Sequence, residues 1–112
     1  MIKGTFKRDD SGRINSYKIT GHADTGEYGY DIVCAAVSVL AINAVNGIDS
    51  LAGVQPMVNS DEENGGYLYV EVPSANTQEQ SNIIQILLES LLLGMQSVQE
   101  QYNDYVQLET IQ

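Results

Sequence analysis

Histidine and cysteine are nearly absent from this sequence of 112 residues, which contains one of each, His22 and Cys34. A single cysteine excludes an internal disulfide bond, and one cysteine with one histidine cannot form a zinc site from those residue types alone. A lone thiol suits a reducing compartment, so we expect the protein in the cytoplasm. Neither a metal nor a cofactor is predicted.

Positive charge is also scarce. The chain has 5 Lys and Arg residues against 15 Asp and Glu residues, for a formal net charge of −10, and no Lys or Arg follows Lys18. Such a surface repels phosphate backbones, so we expect no direct nucleic-acid binding. It attracts basic polypeptides and speeds their encounter. The alternative interpretation is that the charge only keeps the protein soluble.

Neither a membrane-spanning apolar run nor an N-terminal leader is predicted. The most apolar stretch, 83–95, is interrupted by Gln85, Glu89 and Ser90, whereas a membrane-spanning helix needs about 20 mostly apolar residues. We therefore expect neither a membrane span nor secretion. With 43% hydrophobic residues, the chain can bury a core, and its length fits one domain over residues 1–112.

The hydrophobic patterns predict an α/β protein of the α+β type. A period of two indicates strands, and longer apolar stretches with a stripe indicate helices. We predict a compact single-domain sandwich of order ββαββαβ, in which two helices pack on a small sheet. The predicted elements are strands at 1–8 and 13–21, a helix at 32–46, strands at 57–58 and 67–72, a helix at 77–102 and a strand at 105–111.

Several residues predict where these helices begin and end and which faces they bury. Gly47 is the predicted stop of the first helix. Asn76 with Glu79 three residues later resembles a capping box at the start of the second helix. Ile86 and Leu93 widen the apolar stripe of that helix beyond one core face, so we expect them to pack against a partner subunit.

The stretch from His22 to Cys34 has the pattern of a reactive-thiol site. We expect His22 to end a strand, 23–30 to form an adaptable loop, and Asp31 to cap a helix with Cys34 in its first turn. A thiol with the ordinary pKa of about 8.5 is mostly protonated at neutral pH. The positive end of a helix dipole and an imidazolium both favour the thiolate. Asp31 disfavours it, or instead orients the histidine.

Other interpretations of these residues stay open at this point. Ser38 lies one helical turn after Cys34, where its hydroxyl bonds His22, a substrate carbonyl or the backbone of its own helix. Cys34 among Ala and Val residues is also typical of an inert small hydrophobe. A thiol redox sensor and a non-enzymatic adaptor are the alternatives to an enzyme.

The residues Gly21–Ala23 and Gly29–Ser38 closely resemble the signature of the ribosomal-processing cysteine protease family Prp, and the resemblance extends over the whole chain in length and element order. It implies a homodimeric thiol protease with a compact α/β sandwich fold. It also implies a substrate, the precursor of large-subunit ribosomal protein twenty-seven, whose N-terminal extension is removed in support of ribosome assembly. Cleavage would follow an aromatic-containing apolar stretch and precede a small residue.

The resemblance also implies roles for individual residues. Cys34 and His22 match the catalytic dyad, and Asp31 and Ser38 match supporting or orienting residues. Backbone N–H groups near the helix start, including that of Cys34, are expected to stabilise the oxyanion. A substrate loop is expected to close over the peptide, with its tyrosines contacting apolar side chains. That loop comprises Gly21, Ala23, Gly26, Tyr28, Gly29 and Tyr30.

Overall fold

The computed structural model describes residues 1–21, 30–61 and 66–112. Five strands and two α-helices follow one another in the predicted order ββαββαβ. The strands are β1 (Ile2–Arg8), β2 (Ile14–Thr20), β3 (Met57–Ser60), β4 (Tyr67–Glu71) and β5 (Val106–Ile111). The helices are α1 (Tyr30–Gly47) and α2 (Gln78–Gln101).

The strands form a single sheet in the order β3-β4-β2-β1-β5. All neighbours are antiparallel except β1 and β5, which are parallel. A parallel pair requires a crossover, and α2 supplies it between β4 and β5. Phe6 of β1 lies opposite Tyr17 of β2, and their stacked rings have centroids 5.7 Å apart.

The core lies between one face of the sheet and both helices. On β1, Ile2, Gly4 and Phe6 are buried, whereas Lys3 and Lys7 on the opposite face are exposed. The sheet therefore has a dry face toward the helices and a wet face toward solvent. Helices α1 and α2 pack on each other and on the dry face, and their buried residues join those of the strands in one cluster. The predicted two-layer arrangement is confirmed.

An irregularity at the start of β2 links the sheet to α2. The register with β1 shifts between Lys7 and Arg8, so Asn15 is an extra residue and Ile14 turns toward the helices. The side-chain amide of Gln85 on α2 accepts from the Ile14 N–H at 2.9 Å and donates to the Ile14 C=O at 2.8 Å. The Gln85 side chain thus makes the two backbone hydrogen bonds that a neighbouring strand would otherwise make with Ile14.

The ends of the helices correct two predictions. The N-cap of α2 is Thr77, whose hydroxyl accepts from the Gln80 N–H, and the Gln80 side chain reaches back to the Thr77 N–H. The capping box therefore lies one residue after the predicted Asn76. Helix α1 ends at Gly47 as predicted, but a π-helical turn continues over Ile48–Ala52, and the left-handed residue that ends it is Gly53.

Both helices are long and apolar enough, by length and composition, to cross a membrane over 32–52 and 78–101. Each instead packs one face on the sheet, and the core helix of a globular domain passes the same test. Large apolar side chains remain exposed on the other faces, among them Ile86 at 67% and Leu93 at 65%. Their packing against a partner subunit stays a prediction.

Candidate active site

Helix α1 begins at Tyr30, one residue before the predicted cap. Two predictions are therefore wrong. Tyr30 belongs to the helix and not to the preceding loop, and Asp31 is the second helical residue and not the N-cap. Asp is common both at caps and within the first turn, since either position places its charge near the positive end of the helix dipole.

Cys34 is the fifth residue of α1 and begins its second turn, so its predicted place in the first turn is wrong. In a regular α-helix the N–H of the fifth residue bonds to the C=O of the first, here Tyr30. The helical N–H groups left without an intrahelical partner belong to residues 30–32. The helix dipole also weakens beyond the first turn, so it favours a Cys34 thiolate less than predicted.

The thiol of Cys34 lies at the edge of the core. Its neighbour Val33 is fully buried, Ile32 is exposed, and Cys34 itself is half-buried against the core cluster. A half-buried position allows both contact with an incoming peptide and partial exclusion of water. Reactive cysteines are typical of such partly exposed positions, whereas inert structural ones are buried.

Gly21 sets the backbone conformation at the point where the chain leaves β2. Its backbone has φ +85°, and its N–H donates to the Gly66 C=O at 3.0 Å. A Cβ at this position would lie 2.2 Å from the Met1 carbonyl oxygen, which is a severe overlap with backbone. Only glycine fits there, and it fixes the point from which the chain continues to His22.

A hydrogen bond joins the helix that carries Cys34 to the strand that leads to His22. The buried Tyr17 hydroxyl on β2 donates to the Ala41 C=O on α1 at 2.7 Å. Burial raises the pKa of Tyr17 well above its ordinary value, so the hydroxyl stays protonated and keeps its role as donor. This contact sets the position of α1 over β2.

An apolar cavity of about 160 Å³ opens beside Ser38, one turn after Cys34. Its walls come from α1, the end of β2, the end of β3 and the start of β4. Reasoning from the sequence missed this cavity, because its walls come from segments far apart in the chain. The lining residues are Ile19, Val37, Ser38, Ala41, Ile42, Ser60, Asp61, Gly66, Tyr67 and Leu68.

Several predicted site residues lie outside the described residues. They are His22, Ala23, Gly26, Tyr28 and Gly29. Their roles, and the pairing of His22 with Cys34, stay predictions. Within 1–21, 30–61 and 66–112, no group of three His, Cys, Asp or Glu residues is arranged to hold a metal ion.

The Lys and Arg residues all lie on or next to β1 and β2. Lys3, Lys7 and Lys18 are exposed on the face of the sheet opposite the helices. Arg8 bonds Glu89 of α2 with both of its terminal nitrogens, which lowers the pKa of Glu89. Neither α1 nor α2 contains Lys or Arg. The helical layer that carries Cys34 therefore brings no cation of its own.

Comparison with known proteins decides the family. The model of the family described as cysteine protease Prp matches residues 1–107. The chain belongs to this family. The ribosomal processing cysteine protease Prp of Bacillus subtilis is 34% identical over 110 residues, which are 98% of this chain and 97% of that protein. The predictions of the family and of a cysteine protease are thereby confirmed.

Solved structures agree with this assignment. SMU.848 from Streptococcus mutans superimposes with a TM-score of 0.88 at 40% identity, covering 100% of this chain and 96% of that one. The essential ribosomal processing protease Prp of Staphylococcus aureus, in complex with a substrate peptide, gives 0.85 at 31% identity and covers 98% and 99%. A second structure of that S. aureus protein contains a covalently linked product peptide and gives 0.83 at 34% identity, with the same coverage.

Proposed function

We propose that this Prp-family protein is an endopeptidase that removes the N-terminal extension from the precursor of large-subunit ribosomal protein twenty-seven. Cys34 is the proposed nucleophile and His22 its base. The observation that carries the proposal is the half-buried Cys34 near the start of α1, one turn before Ser38 in the wall of an apolar cavity, in a chain whose relatives are named as ribosomal processing proteases. Cleavage in the cytoplasm, where ribosomes assemble, belongs to the same proposal.

The proposed chemistry needs only the thiol, the imidazole and water. His22 takes the proton from the Cys34 Sγ, and the thiolate attacks the carbonyl carbon of the scissile peptide bond. The C–N bond breaks, and His22 gives its proton to the leaving amine. His22 then takes a proton from water, the hydroxide attacks the thioester, and the thiol is regenerated. In this proposal the N–H groups of residues 30–32, at the start of α1, stabilise the oxyanion.

The charge distribution supports a basic substrate. Ribosomal proteins are basic because they bind RNA phosphates. The net charge of −10 attracts such a chain, and α1, which carries Cys34, contains no Lys or Arg that would repel it. Electrostatic attraction of this kind speeds encounter and weakens as salt is added.

A second part of the proposal is that the protein is a homodimer. Ile86 and Leu93 are seven residues apart on α2, so they share one face, and both are about two-thirds exposed. Such a stripe is typical of a helix that packs on another copy. Sedimentation of Ile86→Glu should give monomer where wild type gives dimer. Gln107→Glu, which adds a carboxylate beside Lys3 on the face of the sheet opposite the helices, should leave the dimer intact.

The test of the activity is a cleavage assay on the full precursor, read by mass. Wild type should remove the extension at one bond, and both Cys34→Ala and His22→Ala should abolish cleavage while Cys34→Ala still binds the precursor. Binding without cleavage by wild type, with Cys34 reduced, would support the adaptor alternative. Peroxide-dependent modification of Cys34 that changes partner binding would support the redox-sensor alternative.

A further inference from the structure

The wet face of the sheet carries a row of three exposed lysines. Lys3 and Lys7 lie on β1 and Lys18 lies on β2. Lys18 is opposite Thr5, midway between the two lysines of β1, so the row advances by two residues from each lysine to the next. Since a strand rises about 3.3 Å per residue, successive lysines are about 7 Å apart along the strand direction. These three residues are called the lysine row below.

No carboxylate lies directly across the sheet from a lysine of the row. The six neighbours in register on the adjoining strands are all uncharged, namely Thr5, Ser16, Thr20, Tyr69, Gln107 and Ile111. Between residues of the described ranges 1–21, 30–61 and 66–112, the ion pair that forms joins Arg8 to Glu89 and includes no lysine. The charges of the row are therefore available to a ligand.

The lysine row is a local exception in an acidic protein. Within the five strands, Glu71 and Glu109 are the only acidic residues, and the Glu71 carboxylate already accepts from the Tyr69 hydroxyl at 2.7 Å. The other carboxylates of the described residues lie in turns and helices. Salt screens charges beyond about 8 Å at physiological ionic strength. A ligand on the wet face therefore responds mainly to the nearby lysines and less to the net charge of −10.

The spacing of the row matches an extended acidic peptide. Side chains on one face of an extended chain are also two residues, or about 7 Å, apart. A segment with Asp or Glu at alternate positions therefore places one carboxylate at each lysine. Nucleic acid fits this surface less well, because every nucleotide beyond the row brings a further negative charge toward an acidic protein.

We propose that the lysine row, formed by Lys3, Lys18 and Lys7, is a docking surface for an extended acidic segment of another protein. The half-buried rings of Tyr67 and Tyr69 border the row on β4 and provide apolar surface for the backbone of that segment. Cys34 lies in the helical layer, on the other side of the sheet. An acidic partner and a substrate can therefore be bound at the same time, and the proposal does not depend on the cleavage activity.

The first experiment titrates the full chain into a dye-labelled peptide in which Glu and Thr alternate, and follows fluorescence anisotropy. The control peptide has the same composition with its Glu residues contiguous. Wild type should bind the alternating peptide several-fold more tightly than the contiguous one, and added salt should weaken this binding. NMR of the labelled protein should show shifts at the backbone amides of Lys3, Thr5 and Lys18, and none along α1.

The second experiment compares charge changes on and off the row. Lys18→Gln should weaken binding of the alternating peptide by about two- to fivefold, the effect of one exposed ion pair. Replacement of all three lysines by Gln should abolish it, and Lys18→Arg should retain it. Arg8→Gln makes the same change in net charge at a side chain that bonds α2 instead of facing the row, so it should keep the wild-type affinity. Thermal melts verify that each variant is folded.

Three results would overturn the proposal. Equal binding of the two peptides would show that spacing has no role. Equal weakening by Lys18→Gln and Arg8→Gln would show that only net charge acts. Tighter binding of a single-stranded oligonucleotide than of the alternating peptide, weakened by Lys18→Gln, would assign the surface to nucleic acid instead.

Discussion

Tyr17 and Ala41 connect the two elements between which the proposed site lies. The Tyr17 hydroxyl on β2 donates to the Ala41 carbonyl on α1 at 2.7 Å, and both residues are 1% exposed. Strand β2 runs on through Gly21 to His22, and α1 carries Cys34 two turns before Ala41. The separation of Cys34 from the end of β2 at Gly21 therefore depends on this buried contact.

We expect Tyr17→Phe to destabilise the fold by about 1 kcal/mol, the usual net value of a buried hydrogen bond. The ring and its stacking on Phe6 are retained, so no cavity forms. Denaturant titration measures the loss. Unchanged stability would show that the hydroxyl contributes nothing to holding α1 on the sheet.

The same hydroxyl predicts a loss of stability in alkali. Burial raises the pKa of Tyr17, so above the ordinary tyrosine value of about 10 the unfolded chain releases a proton that the native state keeps. Stability should therefore be insensitive to this group below pH 10 and fall above it by about 1.4 kcal/mol per pH unit. The slope should be reduced in Tyr17→Phe, in which the exposed tyrosines remain as background. An equal slope in both proteins would contradict the buried-donor interpretation.

Gly21→Ala should damage the fold more than Gly12→Ala. Both glycines have positive φ, at +85° and +87°. A Cβ at Gly12 meets nothing within 4 Å, whereas at Gly21 it overlaps the Met1 carbonyl. Gly12→Ala should cost about 1 kcal/mol from backbone strain alone.

Thermal melts of the two variants measure the difference, and precursor cleavage measures its effect on the site. Gly21→Ala should be the less stable and should cleave more slowly, because the chain leaves β2 at this residue. Equal melting temperatures would show that the overlap with the Met1 carbonyl costs no stability and that only the positive φ requires glycine at position 21.

Gln85 of α2 should contribute to stability through its hydrogen bonds to the backbone of β2. Gln85→Leu removes both hydrogen bonds to the Ile14 backbone at the β2 irregularity, and leaving those half-buried groups unpaired should cost about 1–3 kcal/mol. Gln96→Leu, at an exposed position of the same helix, should change stability by less than about 0.5 kcal/mol. Chemical denaturation measures the free energy of unfolding of both variants. An equal loss of stability in both variants would mean that water replaces the hydrogen bonds to Ile14 at no cost in free energy.

Much of the fold was predictable because local patterns and tertiary structure agree. The alternation of Ile2, Gly4 and Phe6 matches one buried face of β1. The apolar stripe of α2 predicted its span to within a residue at each end. Strand β5 was predicted as an element, but its parallel pairing with β1 was not, because pairing is decided by residues a hundred positions apart.

The details of the site were less predictable for physical reasons. Asp31 is chemically suited to cap a helix, as Asn76 is, yet in each case the backbone begins the helix at a neighbour. The cavity is formed by Ile19, Ala41 and Leu68, which no local pattern connects. Ile14 and Tyr17 are both buried because an extra residue breaks the period of two.

The most direct test of the central proposal is to detect the acyl-enzyme. Protein mixed with the full precursor is quenched in acid at short times, and its intact mass and peptide map are measured. We expect a thioester adduct at Cys34 that adds the mass of the released extension less one water, and neither adduct nor cleavage with Cys34→Ala. Cleavage of the precursor by Cys34→Ala at the wild-type rate, or an adduct on another residue, would contradict the account.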